Sequence, residues 1–209
     1  MPCSLALWCR SWLAGVGFSG IFPVSIGVAL VVGCVLLHQA GFKQSSYGLQ
    51  ADCFCLTIIS SLALSAFFFD FSWDGQWYHQ TAIIHIARDW NPLSDPMHNF
   101  APHLETWERH YAKGPWYFAA AVYQATGHIE WGKAINWIAL AVAFSAVFAS
   151  CSSMGMCRLD AFCIASVIAF NPVVMSEVTT YLVDAVMISF VVVAASALFT
   201  FLMYRKYKN

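Results

Sequence analysis

Long apolar stretches alternate with polar stretches along this chain. A transmembrane helix needs about 20 apolar residues, and five segments approach or exceed that length: 12–38, 52–69, 134–151, 157–175 and 181–204. Segment 157–175 reaches it only if one helix continues through Pro172. The pattern predicts an all-α fold, a polytopic membrane protein with about five transmembrane helices in a single transmembrane domain over residues 1–209.

The polar segment 70–133 lies between the second and third predicted spans. Residues 75–89 have helical periodicity. Four side chains share one face of that helix: Asp74, Tyr78, Thr81 and His85. A neighbouring stripe contains four more: His79, Ile83, Ile86 and Trp90. A second short helix is predicted over 115–126, with Pro115 in its first turn and Gly127 after its end. Because Trp and Tyr are frequent here, we expect two interfacial helices in a long extracytoplasmic loop.

Composition supports the membrane class. The 209 residues are 60% hydrophobic and 10% charged, with a mean hydropathy of +0.64, whereas soluble domains carry about 25% charged residues. This excludes a disordered chain, a disulfide-rich miniprotein and an ordinary cytosolic enzyme. A net charge of -1 gives no basic surface, so no nucleic-acid partner is expected. The eight cysteines lie in or beside apolar stretches, so no disulfide partner is predicted.

The distribution of basic residues predicts the orientation. Arg205, Lys206 and Lys208 follow the last span, and such residues favour the cytoplasmic side. A cytoplasmic C-terminus makes the loop 70–133 extracytoplasmic. We therefore expect an integral membrane protein; a bacterial inner (plasma) membrane is implied only by the family that the motifs below resemble. Arg10 does not fit an odd number of spans, so the orientation of the first helix stays open.

Four short motifs follow one another on the predicted outer side. Residues 74–79, Asp-Gly-Gln-Trp-Tyr-His, resemble an Asp-Gly-x-x-Tyr-His stretch, and Trp-Asn-Pro at 90–92 resembles the segment that follows it. Residues 110–116 resemble a Tyr-Pro-Lys-Gly motif, with Ala112 where proline is usual. Asn171-Pro172-Val173, followed by residues 179–184, resembles a second acidic element.

In this order the motifs resemble a bacterial branch of the GT-C class of membrane glycosyltransferases, which take a sugar from a polyprenyl-phosphate carrier. The resemblance covers roughly residues 52–204. Members of the class have many more spans. We therefore expect this chain to correspond to the N-terminal portion of such an enzyme only.

The resemblance implies a role for each matching residue. Asp74 and Asp184 would be catalytic, with Asp74 deprotonating or orienting the acceptor hydroxyl. Asp184 would assist directly or through a divalent cation such as Mg or Mn, with Asp74 and Glu177 as tentative further ligands. The residues expected to bind substrate are Tyr78, His79, His110 and Lys113, the last by steadying the donor phosphate. From the residues alone, Asp74 can equally be a helix N-cap, and Lys113 can bind ordinary lipid headgroups.

The function implied is transfer of a glycosyl group from a polyprenyl-phosphate-linked donor to a lipid or cell-envelope acceptor on the extracytoplasmic side. Its partners would be membrane lipids and the polyprenyl-phosphate sugar donor. Two alternatives stay open. The short chain favours a non-catalytic membrane subunit or a truncated remnant. A small transporter would instead need ionisable residues or broken helices near the bilayer centre.

Overall fold

The computed structural model of the chain describes residues 47–92 and 103–208. Within these ranges the fold is all-helical, without strands, which confirms the predicted all-α class. The first predicted span, 12–38, lies outside the described residues.

Eight α-helices follow one another in the described part of the chain. They are α1 (Tyr47–Phe67), α2 (Gln80–Ala87), α3 (Glu105–His110), α4 (Gly114–Thr126), α5 (Ala134–Ser153), α6 (Arg158–Ala169), α7 (Pro172–Glu177) and α8 (Asp184–Lys208). A π-helical turn, Gly75–His79, leads directly into α2, and a 3-10 turn, Ile129–Lys133, leads into α5.

Helices α5 and α8 run side by side in the same direction. At their far ends the Ser150 hydroxyl donates to the Ser196 carbonyl at 3.1 Å and lies 2.8 Å from the Thr200 hydroxyl. Helix α6 runs back along α5, with Ala161 and Ala165 buried against the C-terminal half of α5. Small side chains allow such close helix packing.

The long helices meet at one end of this bundle. The Phe68 ring, just after α1, stacks on Trp137 near the start of α5 at a centroid distance of 6.3 Å. Leu140 of α5, Val174 of α7 and Ala185 of α8 share one buried cluster. The end of α1, the start of α5, α7 and the start of α8 therefore lie together, and we call this region the loop end.

Two described helices are long and apolar enough to cross a membrane: Ile129–Ser153 and Asp184–Arg205. The apolar part of α1, Asp52–Phe67, is shorter. Large apolar side chains face outward, including Phe67 at 82% exposure and Val167 at 75%. Exposed large apolar side chains are expected where a helix faces lipid or another protein. These features agree with membrane association.

The predicted span 157–175 is not one continuous helix. Helix α6 ends at Ala169, and Asn171 adopts an extended backbone conformation whose side chain accepts from the Val174 N–H at 3.1 Å. Pro172 occupies the first turn of the separate helix α7. A residue before proline is disfavoured in helical conformation, which explains the break. The 12 residues of α6 rise about 18 Å, less than the hydrocarbon thickness of about 30 Å.

The two helices of the 70–133 loop pack against each other. The stripe that contains Ile83 and Ile86 is buried against Trp116, Ala119 and Ala120 of α4. The other stripe is not buried as a unit, since Tyr78 is buried whereas Asp74, Thr81 and His85 are half-buried. Helix–helix packing therefore covers one face of α2.

Candidate functional site

A buried carboxylate ties the loop end together. Asp70 follows α1 and is fully buried. Its Oδ1 accepts from the Ser72 N–H at 2.8 Å and from the Ser72 hydroxyl at 2.7 Å. Its Oδ2 accepts from the Tyr181 N–H at 2.8 Å. One side chain therefore joins the start of the 70–133 loop to the segment that precedes α8.

The sequence interpretation assigned no role to Asp70. The available signal was an acid directly after an apolar segment, followed closely by Gly75. A Cβ on Gly75 would lie 2.0 Å from Asp70 Oδ2 and 2.3 Å from the Ser72 hydroxyl oxygen. Only glycine permits that approach. The π-helical turn, a geometry frequent at functional sites, begins at this residue.

A buried ion pair lies beside Asp70. The Lys133 ammonium is fully buried and contacts the Glu130 carboxylate and the Phe68 carbonyl just beyond α1. Glu130 also accepts from the Asp70 N–H at 3.2 Å. Removing one partner of a buried ion pair typically costs about 3–5 kcal/mol. This pair therefore fixes α1 to the start of α5.

The second acidic element is held by backbone contacts. Glu177 accepts from the Ala185 N–H at 3.0 Å, and Asn136 of α5 donates to the Thr180 carbonyl at 2.7 Å. Asp184 is exposed. Burial raises the pKa of Glu177, the Ala185 hydrogen bond opposes the rise, and the negative charge of Asp184 adds to it. Glu177 and Asp184 therefore lie within electrostatic reach of each other.

Asp74 lies at the start of the π-helical turn and is half-buried. It makes no side-chain capping hydrogen bond, so the capping interaction expected of an N-cap is missing. The neighbouring Tyr78 is buried, and its pKa is raised by burial first, then by Tyr111 and the charge of Asp74. The Asp74 carboxylate is thus partly open and close to a phenol that stays protonated.

His79 is fully buried under aromatic rings. Its Nδ1 accepts from the Trp116 indole N–H at 2.8 Å, which assigns the proton of the neutral ring to Nε2. Burial lowers the pKa of His79 to about 4, so the ring is neutral at pH 7. Within the described residues, His79 Nε2 is buried without a hydrogen-bond partner, whereas the Tyr78 hydroxyl lies near the Tyr111 hydroxyl and the Asp74 carboxylate.

The other two predicted substrate-binding residues are placed differently. His110, the last residue of α3, is exposed. The Lys113 ammonium donates to the Tyr111 carbonyl at 2.7 Å, contacts the Glu108 carbonyl and lies 4.8 Å from the centre of the Trp116 ring. Lys113 therefore stabilises the C-terminus of α3, as cations at helix ends do.

The donor set of the predicted cation site is limited. In residues 47–92 and 103–208, no group of three or more His, Cys, Asp or Glu side chains could hold a metal ion. Glu177 and Asp184 offer two neighbouring carboxylates. Mg²⁺ is commonly bound through one or two carboxylates together with waters and substrate phosphates. Two carboxylates would leave most of the coordination of such an ion to waters and substrate phosphates.

No protein-family model, curated protein or solved structure matches this chain. The fold and the site define a class: a helical protein with two helices able to cross a membrane and a buried polar network at one end of its bundle.

Glu108 of α3 is a buried carboxylic acid whose protonation in the folded protein can be tested. It is 1% exposed, and within the described residues neither carboxylate oxygen has a hydrogen-bond partner. Burial raises its pKa to about 8, against the opposing effect of Lys113. Between its ordinary pKa of 4.5 and about 8, the folded state holds a proton that the unfolded state has released. Its contribution to stability is therefore lost as pH rises through this window.

We expect the substitution Glu108→Gln to remove this loss of stability with rising pH. Because His79 titrates below about pH 6.5, the thermal unfolding midpoint in detergent should be compared at about pH 6.5 and about pH 8.5. The wild-type midpoint should fall more steeply than that of Glu108→Gln. Glu105→Gln, on the same helix, should behave like the wild type. An identical fall in wild type and Glu108→Gln would show that Glu108 is not protonated in the fold.

Proposed function

We propose that this protein transfers a glycosyl group from a polyprenyl-phosphate-linked donor to a lipid or cell-envelope acceptor outside the cytoplasm. The observation that supports this most is the hydrogen bond from the Tyr181 N–H to Asp70. It brings the acidic segments 70–74 and 177–184 to the same end of the bundle. A reaction between two lipid-linked substrates needs its carboxylates at that level, where apolar helices end.

In the proposed reaction Asp74 is the base. Its half-buried carboxylate takes the proton of the acceptor hydroxyl as the acceptor oxygen bonds to the anomeric carbon. The bond from that carbon to the donor phosphate breaks, and the lipid phosphate leaves with the electron pair. Asp184 assists from the second acidic element. If a divalent cation takes part, Asp184 and Glu177 would hold it, and it would neutralise charge on the leaving phosphate.

The remaining residues are proposed to bind substrate. Neutral His79 can donate one hydrogen bond from Nε2 to a sugar oxygen, and the Tyr78 hydroxyl can donate or accept. His79 Nε2 would gain a partner in doing so, since it is buried and unpartnered within the described residues. Lys113 and His110 would contribute at the edge of the site, and the positive charge of Lys113 would attract the donor phosphate.

The proposed membrane arrangement has about five crossings. Four are α1, α5, α6 together with α7, and α8, and the fifth is segment 12–38. Two contacts support the return of the chain through α6 and α7. Ala161 packs near the far end of α5, whereas Val174 packs near its start. The basic residues after α8 favour a cytoplasmic C-terminus in the bacterial inner membrane.

Asp74→Asn should lower sugar transfer by about 10²–10⁴-fold, the usual contribution of a general base. The measurement is transfer of radiolabelled sugar from a polyprenyl-phosphate donor to lipid in membranes that contain the variant. Asp89→Asn is the matched control, because Asp89 is exposed just beyond α2 and asparagine tolerates its φ of 69°. Unchanged turnover in Asp74→Asn, at equal protein level, would dispose of the proposal.

Fusions to alkaline phosphatase test the orientation of the chain in the membrane, because alkaline phosphatase is active only outside the cytoplasm. A fusion after His110 should be active. A fusion after Gly155, in the turn between α5 and α6, should be inactive because α5 crosses the membrane between the two points. Activity of both fusions, or the reverse pattern, would contradict the proposed topology.

A further inference from the structure

A groove separate from Asp74 opens beside the buried ion pair. It has a volume of about 420 Å³, within the usual range for small-molecule sites, and lies between the end of α1, α2, α4 and the 3-10 turn. Its polar lining consists of Gln80, Tyr123, His128, Glu130 and Trp131.

The groove offers hydrogen-bonding groups that have capacity to spare. The Glu130 Oε2 atom is taken by Lys133 and the Asp70 N–H. Its Oε1 has only a long contact, 3.5 Å, with the Gln80 side-chain amide. A carboxylate oxygen can accept more than one hydrogen bond, and the second amide hydrogen of Gln80 can donate. A carboxylate beside an amide is suited to a ligand with several hydroxyl groups.

Aromatic rings form one side of the groove. The His128 and Trp131 rings are stacked, with centroids 5.4 Å apart and planes inclined by 24°. Tyr123 adds a third ring to the lining. Flat rings of this kind give an apolar surface for the C–H face of a sugar, while their polar edges remain available for hydrogen bonds.

The charge of the groove argues against an anionic ligand. Neither Lys nor Arg is among the described residues that line it. The ammonium of Lys133, which pairs with the lining residue Glu130, is itself fully buried. A phosphate would therefore meet a carboxylate without an accessible cation. A neutral ligand avoids this repulsion.

We propose that this groove binds an uncharged glycosyl headgroup, with the sugar stacked on Trp131 and its hydroxyls on Glu130 and Gln80. The lipid chain of such a ligand would lie along the exposed apolar surface at the end of α1, where Phe67 is 82% exposed. Such binding does not rest on the proposed function, because Asp74 is not among the described residues that line the groove. Binding itself requires no turnover.

The test uses the full chain in phosphatidylcholine nanodiscs, with radiolabelled octyl glucoside below its micelle concentration as the probe. Binding is measured by equilibrium dialysis and corrected for empty discs. The wild type should bind saturably, and octyl phosphate should not compete. Trp131→Leu should weaken binding by about tenfold, whereas Trp131→Phe, which keeps a ring, should lose less.

Exposed His128 provides a second variant that does not depend on buried packing. His128→Ala should weaken probe binding by about threefold, and His103→Ala, an exposed histidine elsewhere in the loop, should leave it unchanged. The inference is overturned if His128→Ala and Trp131→Leu each bind the probe as tightly as the wild type does. Competition by octyl phosphate would also overturn it.

Asp74→Asn separates the two proposals. It should bind octyl glucoside as the wild type does while losing sugar transfer. If the wild type transfers sugar but does not bind the probe, the groove is not a glycosyl-binding site, and the proposed function is unaffected. If the wild type binds the probe but does not transfer sugar, the groove is a glycosyl-binding site and the proposed function is wrong.

Discussion

The structure depends on the requirement that a buried carboxylate be fully hydrogen-bonded. An unsatisfied buried charge is costly enough to prevent folding at that position. Asp70 meets the requirement only when Ser72 and the Tyr181 N–H both reach it. The hydrogen bond to Tyr181 joins positions 111 residues apart, so Asp70 fixes where the segment before α8 lies. The placement of both acidic segments follows from this one side chain.

Two glycines allow the neighbouring elements to approach. Gly75 leaves room for the Asp70 carboxylate. Gly132 performs a similar role at the 3-10 turn, where a Cβ would lie 2.7 Å from both the Ala119 Cβ and the Tyr181 hydroxyl oxygen. Any larger side chain at either position would overpack the contact and separate the elements. Gly114, by contrast, has open space around it.

Local signals in the sequence were sufficient for some elements. Pro115 and Gly127 mark the ends of α4 because their backbone preferences act without distant contacts: the proline lies in the first turn and Gly127 has a φ of 72°. The break before Pro172 is equally local, because a proline disfavours the helical conformation of the residue before it. The apolar length of segment 157–175 nevertheless predicted a single span. The burial of Asp70 could not be predicted from its local sequence, because it depends on the distant Tyr181. The same applies to Lys133, whose partner Phe68 is 65 residues away.

The most direct test of the account is hydrogen–deuterium exchange at the Tyr181 amide in detergent or nanodiscs. The account predicts strong protection in the wild type. It predicts exchange at least about tenfold faster in Asp70→Asn, in which an amide group cannot replace both carboxylate oxygens as acceptors. Asp89→Asn should exchange as the wild type does. A Tyr181 amide that is unprotected in the wild type, or equally protected in Asp70→Asn, would contradict the account.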